Sequence, residues 1–591
     1  MQTINAILSE YEAGRQAVFL NGRSLHDIHV DDRGEIRPLR RTLFRLAKER
    51  HGMAALTFSL ALGAQFDFSA FPPADREAYE RKLREAHLQL ADNPSEADET
   101  LPHQRAFGLL RTIHTALAGQ ELPPLLLLWE FGEDLAPDTQ HQASDFVMQI
   151  SEMAWFLAND FRMRRHKVFL LFSGVKERVN QRIVCALPGL DLPQPDREEK
   201  LALIQVLRNS ETRKAAAFES GLDDNTVANL TARTPNKGLE QLFFSSARSN
   251  KPITHAGLME EKKADLIRLS EGTLSVLDAS RVRGVSLCGR TIERALSLLT
   301  TWAEQLKAGN TNMPTNVLLA GAPSGGKTDL ALIASETAQV PAYQLLSPKG
   351  SFVGQTERQA RLQFRVFKEL NPCFGFIDEI TDAFPMERNS MNLDSGASAA
   401  VTAEMLNALS DGTRAGRALL VATTNCPDRI GAAMSSRFIF IPVLAPVPED
   451  YPAILSAIMH QLLPGAECPP EHPAIVEAAR IFYERGASPR TMRSAVLGKL
   501  GMGTRESGVE VALRAAKTIC PADPRDRASA EFADLYALRV CTDMEFLPWF
   551  GKSETYPFPA YLRGIVSKEN GSIDHDALNS RLNQLRQIVN V

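Results

Sequence analysis

Short apolar runs alternate with charged stretches of helical length throughout the second half of the chain. The runs 316–320, 374–377 and 418–422 are apolar at almost every position, as strands buried on both faces are. Because polar turns and helical patterns separate these runs, residues 316–445 are predicted to form a parallel sheet with crossover helices. Residues 448–503 have a helical pattern interrupted by proline and glycine. The pattern therefore indicates an α/β core followed by a smaller helical domain.

Glycines dominate the turn that follows the predicted strand at 316–320. Backbone N–H groups of such a turn can point inward and surround phosphate oxygens, and the positive end of the following helix faces the same place. The lysine and the threonine that end the turn are suited to reach the β- and γ-phosphates and to bind Mg²⁺. We therefore predict that ATP and Mg²⁺ bind here, with Thr328 as a metal ligand. The predicted cofactor-binding residues of this loop are Gly321, Ala322, Pro323, Ser324, Gly325, Gly326, Lys327 and Thr328.

Two adjacent carboxylates close the apolar run at 374–377. Ligands of parallel sheets bind beyond the carboxyl ends of the strands, so both carboxylates are predicted to lie near the phosphate loop. Asp378 is predicted to bind the nucleotide and its Mg²⁺, and Glu379 to polarise the water that attacks the γ-phosphate. Asn425, which follows the next buried run, is predicted to orient that water. The alternative is that Asn425 only caps the turn before Pro427.

Two arginines further along the chain are candidates for contacts with the nucleotide. Arg437, in Ser-Ser-Arg-Phe, is predicted to be an arginine finger that acts across a subunit boundary. The alternative is a surface arginine beside a strand. Arg490 follows Ser488 and Pro489, which are suited to begin a helix, and its side chain is predicted to project towards the nucleotide.

The amino-acid composition and net charge indicate which kinds of binding partner and which compartment the protein is expected to have. The 591 residues are 44% apolar and 23% charged, which allows several domains with sizeable cores. The formal net charge of −5 gives no positive field for nucleic acid, and the basic clusters at 40–50 and 162–167 are expected to be solvated helix faces. The seven cysteines lack metal-ligand spacing, the first residues lack a secretory signal, and no apolar run is long enough to cross a bilayer. We therefore expect a cytoplasmic protein without a membrane segment.

A similar succession of elements is present in the first half of the chain. The run Leu125–Trp129 predicts a buried strand that an acid follows, and an amphipathic helix is predicted over 144–163 before a second buried strand at 168–172. A Pro-Asp pair then precedes a helix at 201–207. No glycine-rich loop comes before these elements, and Trp129 stands where a magnesium-binding aspartate is expected. We therefore predict an ATPase-like fold without a nucleotide site, with an unrelated α/β domain as the alternative.

The motifs of the second half, in this order, strongly resemble the AAA+ superfamily over about residues 285–505. The resemblance implies a P-loop core with a helical lid, ATP bound between subunits and usually a hexameric ring. The whole layout is also similar to cyanobacterial and plastid-type AAA ATPases that carry a degenerate ATPase domain ahead of the active one. Many AAA members have two arginines before the fifth core strand and no lid arginine. This chain has only Arg437 there and adds Arg490, which looks more like other AAA+ branches.

One further segment is similar to the pore loop of protein-remodelling AAA members. It is Ser351–Glu357, and the resemblance implies that Phe352, Val353 and Gly354 grip an extended polypeptide in the channel of the ring. The alternative is that Phe352 packs in the core of its own domain. Residues 387–398 occupy the place of a second pore loop.

The fold class predicted from these patterns is α/β, with a P-loop AAA+ core of parallel sheet plus helical lid, preceded by a degenerate ATPase-like α/β domain. The predicted segments are an N-terminal α/β domain at 1–245, a connector at 246–284, the AAA+ core at 285–446, the helical lid at 447–510 and a C-terminal extension at 511–591. The pattern does not reveal the role of the extension.

The leading functional hypothesis is an ATP hydrolase that couples ATP binding and hydrolysis to the remodelling or partial unfolding of protein partners. The first alternative is a nucleotide-controlled oligomeric switch or scaffold that recruits an effector protein. A nucleic-acid motor is a third possibility, which the absence of a basic excess disfavours.

Overall fold

The chain folds into two compact units, which we call the N-terminal unit (residues 1–265) and the C-terminal unit (residues 266–591). The boundary between them lies within the segment predicted as the connector. The computed structural model describes residues 2–85, 102–118, 122–138, 145–210, 217–279, 282, 287–348, 355–384, 397–502 and 507–589.

The N-terminal unit is built on a six-stranded sheet with the order β5-β4-β6-β7-β1-β8, in which every pair is parallel except the edge pair β4–β5. A separate antiparallel pair, β2–β3, follows β1. The strands are β1 (Ala17–Gly22), β2 (Ile28–Val30), β3 (Ile36–Pro38), β4 (Ala54–Ser59), β5 (Gly63–Asp67), β6 (Leu125–Trp129), β7 (Val168–Gly174) and β8 (Gly189–Leu192).

Helices alternate with these strands or follow them, and the last helix runs through the unit boundary. They are α1 (Gln2–Glu12), α2 (Leu39–His51), α3 (Pro73–Glu85), α4 (Pro102–Ala116), α5 (Gly132–Leu135), α6 (Asp145–Asn159), α7 (Phe161–Arg165), α8 (Gln181–Ala186), α9 (Arg197–Asn209), α10 (Asp224–Thr231), α11 (Asn236–Ser249) and α12 (His255–Ser270). The single helix predicted over 144–163 is wrong. It is interrupted at Asp160, whose backbone is extended and whose side chain accepts a hydrogen bond from the backbone N–H of Arg162, beginning α7.

The C-terminal unit contains a second six-stranded sheet, with the order β14-β10-β13-β12-β11-β9. Here too every pair is parallel except the edge pair, β11–β9. The central strands are fully buried, as their continuous apolar runs predict. The strands are β9 (Leu274–Val276), β10 (Asn316–Ala320), β11 (Ala342–Leu345), β12 (Cys373–Ile377), β13 (Ala418–Thr424) and β14 (Ile439–Pro442).

The helices of the C-terminal unit fall into three groups. Those that alternate with the strands along the chain are α13 (Glu293–Lys307), α14 (Lys327–Ala338), α15 (Gln355–Glu369), α16 (Ile380–Ala383), α17 (Ala397–Leu409) and α18 (Ala432–Ser435). A helical group with its own apolar core contains α19 (Tyr451–Leu462), α20 (Pro473–Glu484), α21 (Pro489–Leu500) and α22 (Gly508–Thr518). The last pair is α23 (Pro524–Val540) and α24 (His575–Val589). The predicted α/β class, with a parallel sheet and a following helical domain, is confirmed.

The parallel strands have the same order in the two sheets. In both units the first parallel strand lies between the fourth and the fifth, and the second lies next to the third. The registers also agree: Asn21 of β1 lies beside Gly174 of β7, and Ala320 of β10 lies beside Thr424 of β13. The carboxyl ends of corresponding strands can therefore be compared residue by residue.

In the part of the chain that the structure describes, no helix combines the length and the apolar character that a membrane span requires.

Candidate nucleotide site

The predicted phosphate loop leaves the carboxyl end of β10 and enters α14. Gly321, Ser324 and Gly326 have positive φ angles of 149°, 64° and 85°. Glycine is required at 321, because a Cβ atom there would lie 2.1 Å from the carbonyl oxygen of Val443. Gly326 is the N-cap of α14 and offers no side chain to its first N–H groups. Those N–H groups are left for an external acceptor, which suits a phosphate.

Lys327 is the buried cation of this loop, with 5% of its surface exposed. Its Nζ donates hydrogen bonds to the carbonyl oxygens of Gly321 (2.8 Å) and Ala322 (2.7 Å) and to Oδ1 of Asn425 (2.6 Å). Burial lowers the pKa of Lys327 to about 8, although the nearby carboxylates, Glu379 foremost, act in the opposite direction. The ammonium group is thus charged at neutral pH and is held between the start of the loop and Asn425.

Asp378 follows β12 directly and contacts Thr328, the threonine of the loop. Its Oδ1 accepts hydrogen bonds from Oγ1 of Thr328 (3.1 Å) and from Oγ1 of Thr423 (2.8 Å). A carboxylate and a hydroxyl oxygen at this separation fit Mg²⁺, which usually takes one or two protein oxygens together with phosphate oxygens and water. The structure therefore brings together the two predicted metal ligands, Thr328 and Asp378.

Glu379 has a strained backbone, with φ 46° and ψ 64°, as the N-cap of α16. Its carboxylate accepts hydrogen bonds from the backbone N–H of Asn425 (3.1 Å) and from the Asn425 side-chain amide. Its own N–H donates to Oγ1 of Thr423 (3.0 Å). Burial raises the pKa of Glu379 above its ordinary value, which is the direction expected of a group that accepts a proton near neutral pH.

The two predicted arginines lie on other segments of the chain than the residues of this cluster. Arg437 donates from Nε to Oγ of Ser410 (2.7 Å), and its carbonyl oxygen accepts from the side chain of Asn316, the first residue of β10. The phosphate loop begins at the other end of that strand, roughly 16 Å away at about 3.3 Å per residue. Arg490 is exposed in the first turn of α21, where Ser488 caps the helix. The predicted pore residues Phe352, Val353 and Gly354 lie outside the described residues.

Two groups at the site have no counterpart among the sequence predictions. One is Thr423, which holds both Asp378 and the backbone of Glu379. The other is Asp534, on α23, whose Oδ1 accepts a hydrogen bond from the backbone N–H of Ala322 (2.8 Å). A threonine at the end of an apolar run could have been noticed as a second polar position. No local signal marks Asp534, because it lies more than 200 residues beyond the loop.

The arrangement is suited to phosphoryl transfer to water. Lys327 and the N–H groups at the start of α14 bind and orient phosphate oxygens, and Thr328 with Asp378 would hold Mg²⁺. Bound MgATP would supply the reactive phosphate. Asn425 holds the Glu379 carboxylate in one orientation, and Glu379 is placed to accept a proton from an attacking water.

The corresponding strand ends of the N-terminal unit carry different residues. By register, Glu130 corresponds to Asp378, Phe131 to Glu379, and Val175 to Asn425. Phe131 even has the same left-handed backbone (φ 56°, ψ 54°) as the N-cap of a short helix. The prediction that Trp129 occupies the place of the magnesium-binding aspartate is wrong. Trp129 is the buried last residue of β6, and Glu130 follows it.

A cavity of about 180 Å³ remains at these strand ends, lined by Gly22, His26, Glu130 and Phe131 among others. Glu130 is not available there as a free carboxylate, because His26 Nε2 (3.0 Å) and Arg40 NH1 (3.3 Å) approach its Oε1. Arg23, which follows Gly22, turns its guanidinium into buried ion pairs with Asp27 and Glu199. The phosphate-binding chemistry of the C-terminal unit is therefore absent from the described part of this cavity.

Comparison with known proteins places the site in a family. Residues 317–443 match the model of the AAA family, described as "ATPase family associated with various cellular activities". The chain is 28% identical over 156 residues to a putative ribosome biogenesis ATPase, nvl, of Dictyostelium discoideum, which covers 25% of this chain and 18% of that protein. It is 27% identical over 260 residues to spastin of Xenopus laevis (39% of this chain, 42% of that protein).

A third relative is the cell division cycle protein 48 homolog of Archaeoglobus fulgidus, 29% identical over 171 residues (27% of this chain, 23% of that protein). The matches thus span less than half the length of each of these relatives. The matched segment contains the loop, Lys327, Asp378, Glu379 and Asn425 in the arrangement described above. Residues 317–443, which contain these site residues, thus match the AAA family of ATPases.

Proposed function

We propose that this protein hydrolyses ATP with Mg²⁺ at the site in its C-terminal unit and uses the cycle to remodel or partly unfold protein partners. The observation that carries the proposal is the cluster at the carboxyl ends of β10, β12 and β13. There Lys327, Asp378 and Glu379 converge on one loop, linked through Asn425 and Thr328. These groups bind phosphate, hold a metal ion and accept a proton, which together are the requirements of ATP hydrolysis.

Within this proposal, Arg437 acts on the site of a neighbouring subunit in a ring, with a hexamer as the proposed state. In support, its backbone carbonyl lies at the amino end of β10, the opposite end of that strand from the loop of its own chain. Arg490, exposed at the start of a lid helix, is proposed to contact the nucleotide from the lid. Phe352, Val353 and Gly354 are proposed to contact the polypeptide being moved.

The N-terminal unit is proposed to be a degenerate ATPase domain that serves as a scaffold or recruitment module. Its strand order, its register and the left-handed turn at Phe131 support this, since they reproduce those of the catalytic sheet. In this unit Arg23 is held in ion pairs with Asp27 and Glu199, and Phe131 corresponds by register to Glu379, the proposed proton acceptor. A division of the rest of the chain into connector, core, lid and extension, and a cytoplasmic location, are parts of the same proposal.

The test is to capture partners with the variant Glu379→Gln in the presence of ATP and Mg²⁺. This variant should bind ATP without cleaving it, so the machine should stall with its partner retained. The matched control is the double variant Lys327→Ala/Glu379→Gln, which should release the same proteins because it does not bind ATP. Captured proteins are then assayed for ATP-dependent unfolding by the unmodified chain and by Phe352→Ala.

Unfolding by the unmodified chain, lost in Phe352→Ala while ATP hydrolysis persists, is the expected result. If captured proteins bind in an ATP-dependent manner but are never unfolded, the chain is a nucleotide-controlled scaffold. If Phe352→Ala still unfolds them, polypeptide threading is wrong.

A further inference from the structure

A buried carboxylate from the C-terminal extension contacts the phosphate loop. Asp534 lies on α23 and is completely buried. Its Oδ1 accepts the backbone N–H of Ala322 (2.8 Å), and its Oδ2 accepts the backbone N–H of Ala445 (3.0 Å) and the hydroxyl of Tyr561 (2.6 Å). One side chain thereby joins the loop, the segment after β14 and a distant part of the extension.

Packing alone does not require a carboxylate at this position. The neighbouring residues Phe532, Leu535 and Leu538 fill an apolar cluster together with Leu444, whereas the Asp534 carboxylate accepts hydrogen bonds from two backbone N–H groups and a hydroxyl. A buried carboxylate costs free energy unless it is paired or hydrogen-bonded. Burial raises the pKa of Asp534, while Tyr561 and the two backbone N–H groups act in the opposite direction. All three partner groups donate hydrogen bonds to the Asp534 carboxylate, and such donors favour its ionised form.

The contact with Ala322 restrains the first peptide of the loop. Asp534 holds the N–H of Ala322, and Lys327 Nζ holds its carbonyl oxygen (2.7 Å). The approach is close, because a Cβ atom on Gly321 would lie 3.2 Å from Oδ1 of Asp534. The orientation in which the loop leaves β10 is thus set jointly by the phosphate-binding lysine and by the extension.

We propose that Asp534 is a positioning residue for the phosphate loop, so that the C-terminal extension is a working part of the nucleotide site. This inference rests on the proposed function of that site. A phosphate cradle works only when its N–H groups converge, and a displaced loop binds nucleotide more weakly. Because coupling is reciprocal, nucleotide binding also stabilises α23 against opening.

The primary test is the dissociation constant of ADP with Mg²⁺, measured by calorimetry on the full chain. In Asp534→Asn, the amide nitrogen faces a backbone N–H whichever way the amide turns, either that of Ala322 or that of Ala445. We expect the dissociation constant to rise about tenfold, the effect of one charge-assisted hydrogen bond. Tyr561→Phe removes a single hydroxyl and should raise it about threefold.

Leu538→Ala is the matched control, since Leu538 is buried on the same helix in the same apolar cluster. It should lower the melting temperature while its dissociation constant stays within twofold of the unmodified chain. If Asp534→Asn is folded and binds ADP as well as or better than the unmodified chain, the inference is wrong. If Asp534→Asn does not fold, Tyr561→Phe is the test instead: a folded Tyr561→Phe that binds ADP as well as or better than the unmodified chain would contradict the inference. If Lys327→Ala also leaves binding unchanged, the nucleotide site itself is misassigned.

A second measurement separates positioning from general stability. In the unmodified chain, ADP should slow amide hydrogen exchange in α23 and around Tyr561 as well as in the loop. In Asp534→Asn, saturating ADP should still protect the loop but no longer α23. Equal protection of α23 in both proteins would contradict the proposed coupling.

Discussion

The two sheets of this protein have the same strand order and differ in what stands at their carboxyl edge. In the C-terminal unit, a loop with three positive-φ residues leads into a helix whose first N–H groups have no side-chain cap. In the N-terminal unit, Gly22 corresponds by register to Gly321 of that loop. Arg23 follows Gly22, and its guanidinium is neutralised by Asp27 and Glu199. Within the described residues, the first arrangement leaves N–H donors for an external anion, whereas the second pairs its cation with carboxylates of the same unit.

The comparison separates what maintains a fold from what performs chemistry. The strand runs of both units are continuously apolar, and burial of these runs is sufficient to preserve the sheet. The polar residues at the strand ends differ between the two units although the strand order is the same. Function has to be argued from those ends, because the shared strand order is compatible with very different sites.

The largest expected effect concerns the buried cation near the carboxyl edge of each sheet, which is Lys327 in the C-terminal unit and Arg23 in the N-terminal unit. Lys327→Ala should reduce ATP hydrolysis about 10³-fold, because the cation that orients the phosphates and stabilises charge is lost. Arg23→Ala should leave hydrolysis at the C-terminal site intact. It should destabilise the N-terminal unit by about 3 kcal/mol, because Asp27 and Glu199 lose the guanidinium with which they form ion pairs. Steady-state phosphate release and chemical denaturation measure the two effects. A loss of catalysis in Arg23→Ala with the unit still folded would show that the units are not chemically distinct.

The next effect concerns the two residues that share a left-handed turn. Glu379→Gln should lower kcat about 10²- to 10³-fold while ATP affinity is retained, because the amide cannot accept the proton of the attacking water. Phe131→Ala, at the corresponding position, should leave kcat within about twofold, as expected of a half-exposed side chain without a catalytic role. The measurements are single-turnover hydrolysis and nucleotide binding. Weakened ATP binding in Glu379→Gln, with an unchanged chemical rate, would mean that Glu379 is a binding group instead.

The pH profile of kcat/KM should be bell-shaped. Glu379 must be ionised to accept a proton and burial raises its pKa, so activity should fall on acidification at a pH above the ordinary glutamate value of 4.5. Lys327 must be charged to bind phosphate and burial lowers its pKa to about 8, so activity should fall again as pH rises through that value. Hydrolysis rates across pH 5 to 10, at saturating Mg²⁺, provide the check. An alkaline limb only near pH 10 would argue against the burial of Lys327.

The smallest effect is expected at Glu130, the counterpart of Asp378. Burial alone raises the pKa of Glu130, but His26 and Arg40 outweigh this, so its pKa is lowered in the folded state. Its contribution to stability is thus present above the ordinary glutamate pKa and is lost as the pH falls through the lowered value. Glu130→Gln should cost about 1 to 2 kcal/mol at neutral pH with hydrolysis unchanged. The corresponding substitution Asp378→Asn should instead reduce magnesium-dependent hydrolysis, which distinguishes a structural acid from a metal ligand.

Much of the catalytic site could be predicted because its signals are local. The strand β10 has the predicted bounds Asn316–Ala320, and the predicted loop, acids and asparagine meet at its end. The helix after the loop begins at Lys327, because a left-handed Gly326 serves as its N-cap. Such a cap depends on backbone conformation, which the apolar pattern does not report.

Contacts between distant segments could not be predicted. Asp534 is one acid in a helical pattern, and only the folded chain places it under Ala322. Trp129 was assigned wrongly for a different reason: the strand Leu125–Trp129 has the predicted bounds, but only the registers of the two folded sheets align Glu130 with Asp378. Asp160 interrupts a stretch that is amphipathic on both sides, so periodicity alone continues the helix through it.

The most direct test of the central claim is the stoichiometry of nucleotide bound to the full chain, measured by equilibrium dialysis with radiolabelled ADP and Mg²⁺. One nucleotide per chain, abolished by Lys327→Ala and unaffected by Arg23→Ala, is the predicted result. Two nucleotides per chain, or one that survives Lys327→Ala, would contradict the assignment of a single working site to the C-terminal unit.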